Sequence, residues 1–114
     1  MPKRQMMLTK KILKDTPELG YGDNKPMEEL TVTAKFFDPT GSFTWYLMEL
    51  DKDENRAYGF VTSHMVPDGE FGPFSINELR DLDLPFGLYI ERDKFFKPMN
   101  LKVLYDKVQK GIHV

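Results

Sequence analysis

A divalent-metal or acid/base site could be assembled here only from Glu49, Asp51, His64, Glu91 and Asp93. Glu49 and Asp51 are two positions apart, so on a strand they share one face, as a paired-carboxylate site requires. His64 does not join them. With a hairpin centred near Asp53 and Glu54, His64 falls opposite Phe43, and six residues at about 3.3 Å each leave it roughly 20 Å from Glu49. The first two acids are therefore expected at a hairpin mouth, paired with Lys52 or Arg56. A small metal-dependent hydrolase using Glu49, Asp51, Glu91 and Asp93 stands as the third functional reading.

Glu91-Arg92-Asp93 places three consecutive charges in an otherwise apolar segment. Strand alternation sends Glu91 and Asp93 to one side and Arg92 to the other. A guanidinium there is expected to pin a carboxylate such as Glu49 or Glu78 through bidentate hydrogen bonds, or to face a ligand. Together with Glu49, these residues form a candidate structural or ligand-facing polar cluster. Trp45 and Tyr46 fall on opposite faces of one strand. With Phe36, Phe37, Phe43, Tyr58 and Phe60 they have the types of a base-stacking platform, but basic groups are missing around them, so core packing is expected instead. No Gly-rich phosphate loop, nucleophile elbow or His-x-x-x-His pair occurs. Ser42, Ser63 and Ser75 have no evident neighbouring base, and Ser75 is needed as a helix cap.

With 40% hydrophobic, 13% aromatic and 30% charged residues, the 114-residue chain suits one globular domain. No apolar run approaches the ~18 residues that span a bilayer, and Met1 to Gln5 is not followed by a secretory apolar region. Without cysteine, neither a disulfide framework nor a thiolate site can form, and a cytoplasmic location is expected. No cofactor is implied. The net charge of −2 hides a pattern. Residues 1–14 hold five basic and no acidic groups, residues 15–93 six basic and seventeen acidic, and residues 94–114 five basic and one acidic. A net −11 middle thus lies between +5 and +4 ends. Such a surface can steer a charged partner.

These residues need positioning elements. Thr9 is expected to cap a short helix through Lys10–Leu13, with Leu8 and Leu13 as its hydrophobic staple, and Thr16 before Pro17 ends it. Residues 18–29 read as a loop. Thr31–Phe37, Phe43–Leu50 and Arg56–Thr62 read as a three-stranded antiparallel meander, with Asp51–Asn55 as a hairpin loop. Ser75-Ile76-Asn77-Glu78 matches a capping box, stapled by Phe74 and Leu79. Leu88–Asp93 reads as a further short strand. Asn100 is expected to cap a C-terminal helix with Leu101, Leu104, Tyr105 and Val108 on one stripe, ended by Gly111. The expected class is α+β: a small antiparallel sheet covered by short helices at both ends of the chain. The expected organisation is a flexible extension over 1–7, one domain over 8–110 and a tail over 111–114.

Taken in order, Lys35-Phe36-Phe37-Asp38-Pro39, Thr44-Trp45-Tyr46 with Glu49 and Asp51, Phe74-Ser75 with Glu78-Leu79, and Gly87-Leu88 with Ile90-Glu91-Arg92-Asp93, Phe96 and Pro98 resemble the domain-of-unknown-function family 2958. This is a family of short bacterial proteins associated with plasmids, conjugative elements and phages. The resemblance runs from about Leu8 to Val108. Family members often begin near a Leu-Thr-Lys segment, here Leu8-Thr9-Lys10, so Met1 to Gln5 reads as an extension or an alternative start. Pro73 and Tyr89 depart from the family's usual Tyr and Pro. The resemblance implies a mobile-element accessory protein and transfers no catalytic residue.

The leading expectation is a non-enzymatic module that binds another protein, a host defence or DNA-processing factor, through an acidic surface of Asp51, Asp53, Glu54, Asp68, Glu70, Asp81 and Asp83. The second is nucleic-acid binding through Lys10, Lys11 and Lys14 together with Lys102, Lys107 and Lys110.

Overall fold

The structure, a computed structural model, describes residues 6–114. Met1 to Gln5, expected as an extension, lie outside the described residues. The order of elements is α1 (Lys10–Asp15), β1 (Thr31–Val32), β2 (Ala34–Phe37), β3 (Thr44–Leu50), β4 (Arg56–Ser63), β5 (Val66–Ser75), α2 (Ile76–Asp81), β6 (Glu91–Arg92), β7 (Met99–Asn100) and α3 (Leu101–Gln109). Short 3-10 turns cover Met27–Glu29 and Pro85–Gly87. The fold is α+β, with a five-stranded antiparallel sheet in the order β5-β4-β3-β2-β6 and a separate β1-β7 pair.

The expected meander is present as β2-β3-β4 and continues into β5. That ten-residue strand is hard to read from sequence because it contains Pro67, Gly69, Gly72 and Pro73, residues that normally mark turns. An edge strand tolerates them. Pro73 pairs with Tyr58 and has no N–H to give, so its imide nitrogen takes a place on the outer edge, where it also blunts further strand addition. Thr31–Phe37 is two strands, because at Thr33 the chain leaves β7 for β3: the Thr33 amide donates to the Leu47 carbonyl at 2.9 Å. Of Leu88–Asp93, only Glu91–Arg92 pairs, against Phe37 and Phe36.

Alternation along the strands directs two apolar sets to opposite faces. One face gathers Met7, Ala34, Phe36, Leu47, Leu50, Ala57, Ile76, Leu79 and Ile90, covered by Leu8, Ile12 and Leu13 from the α1 region and by Leu79 of α2. The other gathers Leu30, Val32, Tyr46, Met48 and Phe60 with Leu101 and Leu104 of α3. Met7, at the end of the expected extension, is buried in the first cluster. Each helix has its expected cap: Thr9 accepts from the Ile12 amide at 3.1 Å, Ser75 from Glu78 at 3.1 Å and Asn100 from Val103 at 3.2 Å. Gly111 closes α3 at φ +73°, while the Ile112 amide donates to the Lys107 carbonyl at 2.9 Å.

Candidate functional site

A concavity of about 640 Å³ lies where β2, β3 and β4 run out beneath the segment that follows α3. Its walls include Lys35, Thr44, Tyr46, Thr62, Asp93 and Val114. Lys35 sits between Ala34 and Phe36, whose side chains face the first core cluster, so alternation turns its ammonium to the opposite face. The residue is only 6% exposed. A buried ammonium is costly unless it is paired and hydrogen-bonded. Here its Nζ donates to the Val114 backbone oxygen at 2.6 Å and stands 3.5 Å from Asp93 Oδ2. The Tyr46 hydroxyl donates to the same Val114 oxygen at 3.2 Å. Burial, reinforced by the Asp93 charge, pushes the Tyr46 phenol up to about 12. Tyr46 therefore stays protonated at neutral pH. This arrangement suits holding an oxygen atom rather than transferring a proton.

Sequence reasoning did not single out Lys35 or assign Tyr46 a polar role. The available signal was a lysine inside the apolar run Ala34-Lys35-Phe36, a charge with no exposed face to occupy. Of the other candidate aromatics, Phe36 and Phe60 are core, with Phe60 packed between Tyr46, Phe71 and Tyr105, whereas Phe37, Trp45 and Tyr58 are half-buried and Phe43 is exposed. Trp45, on the opposite face from Tyr46, stacks on Phe43 at 5.6 Å.

The polar cluster of Glu49, Glu91, Arg92 and Asp93 does not come together. Glu49 is buried near the hairpin end of β3, where its two oxygens accept the Gly20 and Gly22 amides at 2.8 and 2.7 Å. Glu91 pairs with Phe37, which stands opposite Thr44, five residues and about 17 Å along β3 from Glu49. Arg92 donates from Nη1 to the Met6 carbonyl, so it ties down the chain ahead of α1 instead of pinning Glu49 or Glu78. Asp51 is bonded to Arg56, as expected for a hairpin mouth. The four acids of the hydrolase reading are thus dispersed, and among the described residues no group of three or more His, Asp or Glu is placed to hold a metal ion.

Ser42 does have a base beside it, contrary to expectation. A bulge at Met48 shifts the register by one residue, so pairing runs Leu47 to Gly59 on one side and Glu49 to Tyr58 on the other. His64 consequently meets Ser42 and not Phe43: Oγ lies 2.7 Å from Nδ1 and accepts the His64 amide at 2.9 Å. Either the hydroxyl or Nδ1 supplies the proton between them, according to the imidazole tautomer, and the two contacts close the strand ends around an exposed pair.

The seven candidate surface acids fall into two groups. Asn55 Oδ1 accepts from Ser75 Oγ and the Asn77 amide, both at 2.8 Å, which fastens the hairpin bearing Asp51, Asp53 and Glu54 to the start of α2. Asp81 closes this six-residue helix and Asp83 follows, about 9 Å along its axis. Asp68 and Glu70 lie towards the other end of β5, where Glu70 pairs with Val61 and the Asp68 carbonyl accepts from Gln109 at 2.8 Å. The Asn55 and Arg56 amides, and then the Arg56 charge, hold the Asp53 carboxyl below its ordinary range. The candidate lysines are divided as well. Lys10, Lys11 and Lys14 belong to α1, over one sheet face, whereas Lys102, Lys107 and Lys110 belong to the α3 region, over the other. Lys11 bonds Asp15 at 3.1 Å; Lys102 bonds Asp106 at 2.9 Å, which holds the Lys102 ammonium above its ordinary range. The two sets do not form one basic surface.

The fold and its cleft define a small α+β domain with an antiparallel sheet covered on both faces and a cleft at one sheet end, where Lys35 and Tyr46 donate to Val114. The chain belongs to the family described as protein of unknown function, DUF2958, whose model matches residues 7–110. No curated protein and no solved structure matches it. Among the described residues, no helix is long and apolar enough to cross a membrane.

Proposed function

We infer that this chain is a non-enzymatic protein-binding module, docking through the acidic end built from the β3–β4 hairpin and α2. The observation that carries this reading is the Asn55 clasp, which joins Asp51, Asp53 and Glu54 to the helix bearing Asp81. Fixing the hairpin to the helix presents these charges with little ordering left to pay for on binding. A negatively charged end of this kind favours a partner with a basic surface and accelerates its encounter. The partner class proposed is a host defence or DNA-processing protein, with the chain acting in the cytoplasm as an accessory factor of a plasmid or phage. The α1 and α3 lysines, on opposite sheet faces, give the nucleic-acid reading no common surface.

The test is affinity capture with cross-linking from host cell extract, comparing the wild-type chain with Glu54→Gln/Asp81→Asn/Asp83→Asn. A specific partner is expected to be retained at low salt, released as ionic strength approaches about 0.5 M, and retained at least about tenfold less by the variant. Equal retention by both chains, or retention indifferent to salt, would remove the acidic end from the mechanism.

A further inference from the structure

We propose that the groove between the loop after α1 and the hairpin ends of β3, β4 and β5 takes an arginine side chain from the basic surface of the partner protein. The stem of that arginine lies on Leu19, Tyr58 and Pro73, and its guanidinium meets Glu49 and Asp23. This rests on the acidic end as the docking surface and names the side chain that the partner brings to it.

The groove is built by strand register. Glu49 pairs with Tyr58 and Tyr58 with Pro73, so the three stand side by side and share one face of the sheet. Leu19 and Asp23 come from the loop whose Gly20 and Gly22 amides are fastened to Glu49, and they complete the walls of a space of about 440 Å³. Leu19 and Pro73 are exposed and Tyr58 is half-buried, which leaves an apolar surface open to solvent. There is room for one long side chain and its flanking backbone.

The charge in the groove selects the head group. Glu49 is only 5% exposed, and its two oxygens accept backbone amides. Among the described residues, no lysine, arginine or histidine forms an ion pair with it. A buried charge is costly unless it is paired as well as hydrogen-bonded, and a carboxylate that accepts two bonds keeps lone pairs for more. Gly20 lies between Glu49 and a second acid: its amide serves Glu49 Oε1, while Asp23 Oδ2 stands 3.5 Å from where a Cβ on Gly20 would be. Arg56 also lines the groove, but its guanidinium is engaged by Asp51 and, at 3.5 Å, by Asp53. Asp23, Glu49, Asp51 and Asp53 thus share one guanidinium, and an incoming cation relieves the imbalance. Arginine suits both parts of the groove, because its stem covers apolar surface while its planar head takes carboxylate oxygens and stacks on a tyrosine ring. A neutral apolar side chain fills the space and leaves Glu49 unpaired.

The experiment titrates the full chain with acetyl-Gly-Arg-Gly-amide and with the same peptide carrying citrulline, a neutral control of nearly the same shape. Binding is read from the backbone amide shifts of Tyr58 and Phe74. The arginine peptide is expected to saturate in the millimolar range, at least about fivefold more tightly than the citrulline peptide. Glu49→Gln is expected to weaken arginine binding at least about tenfold, and Asp23→Asn, expected to weaken it about threefold, serves if Glu49→Gln does not fold. In capture from host cell extract, Leu19→Ala/Asp23→Asn should retain the partner at least about threefold less than wild type. Absence of shifts at high millimolar arginine peptide, equal affinity for the two peptides, or binding indifferent to both carboxylate substitutions would overturn the proposal. Those outcomes leave the acidic end standing wherever Glu54→Gln/Asp81→Asn/Asp83→Asn still loses the partner. Arginine binding as expected, with capture unchanged in that triple variant, keeps the arginine site and removes the acidic end.

Discussion

Glu49 Oε2 receives the Gly22 amide at 2.7 Å, while Oε1 takes the Gly20 amide at 2.8 Å, so one buried carboxylate fastens the long loop after α1 to the middle strand of the sheet. Gly22 is required by the close approach: a Cβ there would stand 2.8 Å from Oε2. Glu49→Gln replaces one accepting oxygen with an NH2 that faces a donor. The expected loss is about 1.5–3 kcal/mol, the usual range for a hydrogen bond to a charged group, read as a lower urea midpoint at unchanged slope. A loss below about 0.5 kcal/mol would mean that the loop is held by its other contacts.

Asn55 and Ser75 act as one unit. Ser75 Oγ accepts the Glu78 amide at 3.1 Å and donates to Asn55 Oδ1 at 2.8 Å. Ser75→Ala removes both bonds and is expected to cost about 1–2 kcal/mol. Asn55→Ala should cost a similar amount, since the Asn77 amide loses its acceptor too. Because the bonds are shared, the double variant should be less destabilised than the sum by about 0.5–1.5 kcal/mol, as measured by a double-mutant cycle in urea. Full additivity would show that the clasp and the cap are independent.

Elements with a local physical signature were legible in the sequence. Thr9, Ser75 and Asn100 cap as their types require, and β2, β3 and β4 carry the β-branched and aromatic residues that mark strands. What escaped depends on tertiary context. β5 was hidden because Pro67 and Pro73 are acceptable only on a sheet edge, a position that composition does not reveal. The Ser42–His64 contact was hidden because a single bulged residue, Met48, displaces every pairing beyond it. Lys35, Tyr46, Asp93 and Val114 come from four separate stretches of chain. No spacing rule joins them, and only the pairing of β2 with β3 and the return of the segment after α3 bring them to one cleft.

Tyr46 has an alkaline consequence. Its phenol is raised from 10.0 to about 12 by burial and by the Asp93 charge. Below pH 10 both the folded and unfolded chains keep this proton. Between pH 10 and about 12 the unfolded chain loses it first, so it binds fewer protons than the folded one and stability falls as pH rises, by about 1.4 kcal/mol per unit. Above that window the contribution is gone. Across the two units this amounts to an order of 2–3 kcal/mol. Tyr46→Phe should lack this component, so the wild-type melting temperature should fall more steeply than the variant's between these pH values. The late phenolate absorbance of Tyr46 should vanish with it. Parallel melting curves for the two chains would place Tyr46 outside the buried network.

Gly69 and Gly72 lie three residues apart on β5, yet the same substitution should act on them oppositely. Gly69 has φ +82°, and a Cβ there would lie 2.1 Å from the Phe60 ring tip, in a ring that is fully buried and packed against Phe71 and Tyr105. Alanine must therefore either displace Phe60 or straighten the backbone, in addition to adopting a left-handed conformation disfavoured for L residues. The expected cost is about 2–4 kcal/mol. At Gly72 a Cβ meets nothing within 4 Å, and no left-handed conformation opposes it. Gly72→Ala should be neutral or stabilise by about 0.4–1 kcal/mol, chiefly by reducing the freedom of the unfolded chain. Urea unfolding of the two variants checks the pair. If Gly69→Ala proved as mild as Gly72→Ala, the Phe60 ring would have room that its buried position denies, and the packing of β5 over the α3 face would need redrawing.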